Sequence, residues 1–166
     1  AILQEQQQVF GEHPEMSLTA LGQMSHLENA IREAERMRPP LVMLMRQILQ
    51  DFEYAEYVMP AGGLMMVSSA VSHRIPEVFP NPDYYDPNRF APGREEHKRH
   101  RYALIGFGGG RHRCIGEAFA YQQVKVIWSI LLQQFDLELV QPQYEPNYTT
   151  WVVGPRQPCL VRYQRK

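Results

Sequence analysis

Phe107-Gly-Gly-Gly-Arg-His-Arg-Cys-Ile-Gly116 sets one cysteine, Cys114, directly before a long apolar helix pattern. The glycines let backbone fold tightly around the sulfur, because they accept φ > 0 and close approach without steric cost. The helix that follows turns its unpaired N–H groups and the positive end of its dipole toward that sulfur. Arg111 and Arg113, just before the cysteine, add formal positive charge. All three influences favour the thiolate, the form of cysteine that binds metal. A buried, inert thiol would need neither the glycines nor the arginines.

Several chemistries compete for such a loop. A phosphate-binding loop needs a Gly-Lys-Ser/Thr grip, which is absent. A zinc site from His97, His100, His112 and Cys114 has spacings that match no zinc module, and Arg111 and Arg113 would repel a divalent cation. A nucleophilic Cys114 with His112 as base requires two side chains to converge that tend to diverge two residues apart in a turn. An axial thiolate on haem iron fits better, since one protein ligand suffices and the flanking cations can meet propionates.

Outward from the loop, the chain is ordinary globular material. Of its 166 residues 44% are apolar and 21% charged, with a formal net charge of −1, so nothing points to nucleic acid or an anionic membrane. Two cysteines, Cys114 and Cys159, make no secreted disulfide framework, and a reducing compartment is the default. The N-terminus has neither a basic region nor an apolar run of signal length. No stretch offers the uninterrupted apolar length of a membrane helix; the best, Ile115 to Leu132, contains Glu117 and Lys125. The chain starts without methionine, inside helix-like sequence, and reads as truncated.

The first ten residues read as a helix stopped at Gly11, with His13-Pro14 as the loop. Ser17 to Gly22 reads as a short helix. Ser25 and Glu28 form a capping box, followed by a helical stripe at Leu27, Ala30, Ile31, Ala34 and Met37 that Pro39-Pro40 ends. Leu41 to Gln50 and Phe52 to Met59 read as strands, then a Pro60-Ala-Gly-Gly63 turn and strand-like Leu64 to Val67. Ser69 to Arg74 reads as one more helical turn. From Pro76 to Gly110 no periodicity survives, and so long a loop inside a compact domain tends to be functional. The helix from Ile115 to Phe135 is apolar nearly all round and reads as buried. Short strands near Leu137 to Val140, Trp151 to Val153 and Leu160 to Tyr163 close a mainly α fold with small β sheets.

Three elements carry a resemblance. Phe107-x-x-Gly110-x-His112-x-Cys114-x-Gly116, with Ala120 beyond, is similar to the haem-binding signature of the cytochrome P450 monooxygenases. Glu33-Ala-Glu-Arg36 resembles that family's Glu-x-x-Arg pair, and Asp86-Pro-Asn-Arg89-Phe90 resembles the region supplying its second arginine. Taken alone, Glu33 and Arg36 are an i,i+3 pair worth roughly 0.2–0.5 kcal/mol. Within the superfamily, His112, together with Arg38-Pro-Pro-Leu-Val-Met-Leu-Met-Arg46, Asn147-Tyr-Thr-Thr150 and Val161-Arg-Tyr163, resembles the sterol 14α-demethylase group. Gly106 stands where members often have proline, and Gly109 where alanine is common; both exchanges loosen the loop.

The resemblance implies that residues 1–166 are the C-terminal haem-binding part of a single P450 domain, with the long helix buried. It implies haem b held by Cys114 on the iron, with Phe107, Gly110, Ile115, Gly116 and Ala120 around it and Arg46 and His112 on its propionates. It implies a structural triad of Glu33, Arg36 and Arg89, and a sterol pocket lined by Leu41, Met43, Trp151 and Val152. The activity implied is oxidative loss of the sterol 14α-methyl group, with electrons from NADPH through a reductase or ferredoxin and no nucleic-acid partner. A P450 acting on fatty acids or terpenoids is the near alternative, and a non-enzymatic thiol or metal-binding module the distant one. The compact Phe90–Tyr102 loop leans toward a bacterial, cytoplasmic protein, against an endoplasmic-reticulum membrane enzyme. The family's oxygen-activating helix would precede Ala1, so the 166-residue chain alone is expected to be inactive. The run Arg94 to Arg101 holds four Lys/Arg and two Glu and reads by default as a solvated loop; the sharper reading makes it, with Arg111, Arg113 and Lys125, part of a positive face that guides an acidic redox partner.

Overall fold

A carboxylate from one helix caps another, and this contact sets how the helical part assembles. Helix α1 (Ile2–Glu12) carries Glu5, whose carboxylate accepts from Ser25 Oγ (3.0 Å), His26 N (2.7 Å) and Leu27 N (3.1 Å). These are first-turn donors of α3 (Ser25–Met37), left unpaired by the helix itself. The expected Ser25–Glu28 capping box is therefore not formed. Glu28 turns to Arg32 (2.9 Å) and Lys125 instead. Between them α2 (Leu18–Gln23) starts on Ser17, whose hydroxyl accepts from Ala20 N. The computed structural model describes residues 1–13 and 15–166; Pro14 of the expected loop lies outside the described residues. Gly11 falls inside α1 and does not stop it.

Val9, Ala20, Leu21, Met24 and Leu27 form the hydrophobic core, with Ile31 and Val126 against it. The last comes from α5 (Glu117–Gln134). This helix differs from the expectation of burial all round. Its buried residues are Tyr121, Lys125 and Ser129, one i, i+4, i+8 stripe, while Phe119, Ile127, Trp128 and Ile130 are exposed. Apolar composition on every face does not bury every face; within this chain α2 and α3 pack against only one side. Gln6 reaches across from α1 and donates to Ser129 O at 2.6 Å.

After α3 the chain forms small antiparallel sheets. β1 (Met43–Gln47) pairs with β4 (Leu64–Ser68), Arg46 opposite Met65. The stretch expected as one strand from Phe52 to Met59 is a hairpin, β2 (Phe52–Tyr54) and β3 (Tyr57–Met59), because Ala55 at φ 53 turns the chain. The short α4 (Ser69–Ser72) follows. Residues 76–110 are irregular apart from three short 3₁₀ turns, Pro87–Phe90, Glu96–Lys98 and Gly110–His112. β5 (Phe135–Leu139) pairs with β8 (Val161–Arg165), and β6 (Pro146–Asn147) with β7 (Gly154–Pro155). Trp151 to Val153 form no strand. Among the described residues no helix is long and apolar enough to cross a membrane.

Candidate cofactor site

Glu33 and Arg36 lie one turn apart on α3, and both are fully buried. Arg36 grips Glu33 through two bonds, Nε to Oε2 at 2.7 Å and Nη2 to Oε1 at 2.9 Å. Arg89 adds a third at 3.2 Å to Oε1, and the Asp86 amide a fourth at 2.8 Å. Arg89 is saturated: it also donates to Glu96 Oε2 (2.9 Å) and to the carbonyls of Pro80, Asn81 and Tyr84. The second acid, Glu96, is 2% exposed and takes a further bond from Arg94 at 2.8 Å. Burial raises its pKa, but the Arg94 and Arg89 guanidiniums outweigh burial and hold it below the ordinary value. Two buried arginines thus meet two buried carboxylates, the arrangement that makes charge tolerable in an interior. The loop that looked structureless in sequence is tied down from its middle.

His73 connects this cluster to the cysteine loop. Its Nε2 accepts from Ile105 N at 2.8 Å, so Nε2 carries no proton, and Nδ1 faces Arg36 O at 3.3 Å as the donor. The ring is fully buried. Burial drives its pKa down to about 4, with the Arg36 and Arg74 charges acting the same way against the backbone hydrogen bonds. A neutral imidazole is the form this geometry requires.

The loop itself closes by hydrogen bonds of its own backbone: Gly108 N to Ile105 O and Cys114 N to Phe107 O, each 2.8 Å. Gly108 (φ +79) and Gly110 (φ +63) hold left-handed conformations that other residues rarely adopt. Gly116 is the N-cap of α5, and a Cβ there would lie 3.7 Å from Cys114 Sγ. The sulfur therefore sits at a helix N-terminus, as the sequence suggested. One expected helper is engaged elsewhere: Arg113 binds Glu117 at 2.6 and 2.8 Å. Cys114 is exposed, and Ile115 beside it is 103% exposed.

Leu44 and Arg46 of β1 and Val67 of β4 face Tyr102, Ile105, Gly109 and Gly110 across a cleft of about 340 Å³. Leu44 and Arg46 also border a wider cavity of about 770 Å³ with Leu41, Met43 and Trp151. The structure thus brings Arg46, Gly110 and the apolar trio Leu41, Met43 and Trp151 to adjoining spaces. Val152 is not part of the wall; Val153 takes its place, its amide held by Pro40 O at 2.8 Å. His112 is exposed and outside both cavities, while Phe107 stacks at 5.6 Å on Tyr121. Ala120 opens the helical bonding of α5, donating to Gly116 O.

These residues fit a haem. Among the described residues no three His, Cys, Asp or Glu side chains group as a metal cage, so His97, His100, His112 and Cys114 supply no zinc set. A single exposed thiol beside bare glycine backbone, an apolar cleft and one cation suits a metal that brings its own equatorial ligands. The expected positive face is smaller than the sequence implied. Lys125 is buried, paired with Glu28 and Leu21 O, because its position belongs to the packed stripe of α5. Arg94, Lys98 and Arg113 are each neutralised by a neighbouring carboxylate.

Sequence reasoning missed Glu96 and His73. Glu96 had a signal, an acid inside a basic run; His73 had none, since its partners lie 32 and 37 residues away.

A family model described as Cytochrome P450 matches residues 1–162. The chain is 41% identical to a sterol 14α-demethylase of Mycolicibacterium vanbaalenii, over 99% of this chain and 37% of that protein. It is 44% identical to a sterol 14-demethylase of Arabidopsis thaliana, over 100% of this chain and 36% of that protein. An obtusifoliol 14-alpha demethylase of Triticum aestivum is 43% identical over 99% and 38%. The chain therefore spans well under half the length of these relatives. Among solved structures, one described as retinoic acid bound cyanobacterial CYP120A1 superposes with a TM-score of 0.90 at 28% identity, covering 99% of this chain and 38% of that one.

Proposed function

The chain belongs to the cytochrome P450 family, and from that premise we propose that it serves a haem-thiolate monooxygenase that removes the 14α-methyl group of a sterol. The observation that carries this reading is the exposed Cys114 at the N-terminus of α5, in the loop whose Gly109 and Gly110 line an apolar cleft together with Arg46. When bound, the haem supplies the oxidative chemistry, and a thiolate ligand donates electron density to its iron. Cys114 is the iron ligand in this reading. The positive end of α5 stabilises its negative charge. Arg46, lining the cleft, would hold a haem carboxylate through a charge-assisted hydrogen bond. Gly110, where a Cβ would meet nothing within 4 Å, would allow the macrocycle to approach the backbone. Leu41, Met43 and Trp151 exclude water and orient an apolar substrate in the wider cavity. The Glu33–Arg36–Arg89–Glu96 cluster ties residues 80–96 to α3. Electrons reach the site from NADPH through a reductase or ferredoxin.

The relatives named for sterol 14-demethylation, at 41–44% identity, support the sterol over other substrates. A terpenoid substrate is the second reading, favoured by the likeness to the retinoic acid-bound structure at 28%. The full-length protein distinguishes them. A reduced carbon monoxide complex with the thiolate signature is expected, as are tight spectral titration by a 14α-methyl sterol and reductase-dependent release of formate. No thiolate signature would remove the haem assignment. Spectral response to retinoids with none to sterols would transfer the substrate.

A further inference from the structure

Gly106 directly precedes the cysteine loop, and its missing side chain is occupied by another residue. A Cβ built there would lie 2.0 Å from Glu35 Oε1, 2.9 Å from Cδ and 3.1 Å from Cγ. The backbone of Gly106 is not left-handed, so no turn demands glycine at this position. The three atoms nearest a Cβ there all belong to the Glu35 side chain, whose freedom to move aside is reduced by its bond to Tyr121. Glu35 is on α3 between Glu33 and Arg36 but points away from their cluster, toward the loop. Its second oxygen accepts from the Tyr121 hydroxyl. Tyr121 in turn stacks on Phe107 at 5.6 Å, with the Arg32 guanidinium 4.8 Å over its ring. Phe107 O receives the Cys114 amide at 2.8 Å. Burial raises the Glu35 pKa, with Glu117 adding to the rise against the Tyr121 hydrogen bond, so the site disfavours the ionised carboxylate. On the adjoining residue, His73 holds Ile105 N. The entry to the loop is thus clamped at two consecutive positions by side chains from outside it.

We propose that Glu35 is a positioning residue for the Cys114 loop: its carboxyl fills the space that Gly106 leaves and, through Tyr121, seats Phe107 against the backbone that carries the sulfur. Positions 35 and 106 form a reciprocal pair of large and absent side chain. The loosening expected from glycine at 106 does not follow, because the volume a side chain would supply comes from α3. The inference rests on Cys114 being the haem ligand only for its spectroscopic consequence; the packing relation stands without the cofactor.

The test uses the full-length holoprotein as wild type, G106A, E35A, E35Q and the double variant E35A/G106A. Hydrogen exchange at the Gly108 and Cys114 amides reports loop closure, and the reduced carbon monoxide spectrum reports thiolate retention. G106A is expected to lose about tenfold of the exchange protection at these amides, the scale of an overpacked interior, and to convert part of its spectrum to the thiolate-lost form. E35A is expected to lose protection as well. E35Q keeps the shape and the tyrosine contact and should match wild type in both readouts. The double variant should recover the loss caused by the clash and so fall well short of the sum of the singles, ending near E35A because the tyrosine contact stays absent. Wild-type protection in G106A would overturn the proposal, as would a double variant no better than the sum of the singles. Protection lost evenly across α1 and β5 would also overturn it, by making the effect global. If wild type itself lacks the thiolate signature, the haem reading fails, and the exchange coupling still decides the packing claim.

Discussion

Replacing Arg89 by lysine should unseat the irregular segment while keeping its charge. Arg89 is 1% exposed and donates to five acceptors: Glu33 Oε1, Glu96 Oε2 and the carbonyls of Pro80, Asn81 and Tyr84. An ammonium has three hydrogens and no fork, so at least two of those acceptors lose their partner. Two lost bonds involving a charged donor, at about 1.5–3 kcal/mol each, give a cost of about 3–6 kcal/mol, which overlaps the roughly 3–5 kcal/mol for removing one partner of a buried ion pair. The assay is urea unfolding of the full-length protein followed by tryptophan fluorescence, with Arg162→Ala as the control. Arg162 bonds Glu138 at 2.9 Å, but the two side chains are 70% and 68% exposed, so its loss should cost under about 0.5 kcal/mol. An Arg89→Lys protein within about 1 kcal/mol of wild type would refute the reasoning, because the cluster would then be worth no more than a surface pair.

The remaining expectations concern other buried polar contacts. His73 has a folded pKa of about 4 against 6.5 unfolded, so protons bind the unfolded chain first; stability is complete above pH 6.5 and falls by about 3 kcal/mol as pH drops to 4. His73→Gln should flatten the decline between pH 6.5 and 5 in pH-dependent urea midpoints, and an unchanged slope would reject the assignment. Lys125→Met should change stability by less than about 1 kcal/mol, since the partly exposed Glu28 keeps Arg32 as a partner, whereas Glu28→Gln, which strands the buried Lys125, should cost more; the reverse order in thermal melts would contradict the buried pairing. Glu5→Ala should cost about 1–2 kcal/mol by uncapping α3, measured as loss of amide protection at His26 and Leu27; unchanged protection there would mean the cap contributes nothing.

The cysteine loop was legible because its chemistry is local: glycines, a cysteine and a helix start lie within ten residues. The α3 stripe was legible for the same reason, through its period. What sequence reasoning could not see are partners joined by tertiary structure. Glu5 takes over the cap that Ser25 and Glu28 seemed to form, Lys125 turns inward from a helix that looked uniformly apolar, and Glu96 hides in a run that looked solvated. Local pattern also misjudged the strand from Phe52 to Met59, where a single left-handed Ala55 reverses the chain. The first three failures are long-range contacts overriding a local preference, whereas the hairpin is a local turn made by a residue type that rarely signals one.

The buried cluster also has a consequence in time. Its contacts join residues 37, 53 and 56 positions apart, and a loop of that length must close before any of them forms. Guanidiniums and carboxylates gain little until water has left, so these bonds belong after the folding barrier and contribute little to the rate of folding. On the way out they must break first. Interactions absent from the transition state slow unfolding in proportion to their full strength. Arg36, Arg89, Glu33 and Glu96 therefore act as a latch on the native state, lengthening its lifetime even where they add little to the equilibrium over a well-packed apolar alternative.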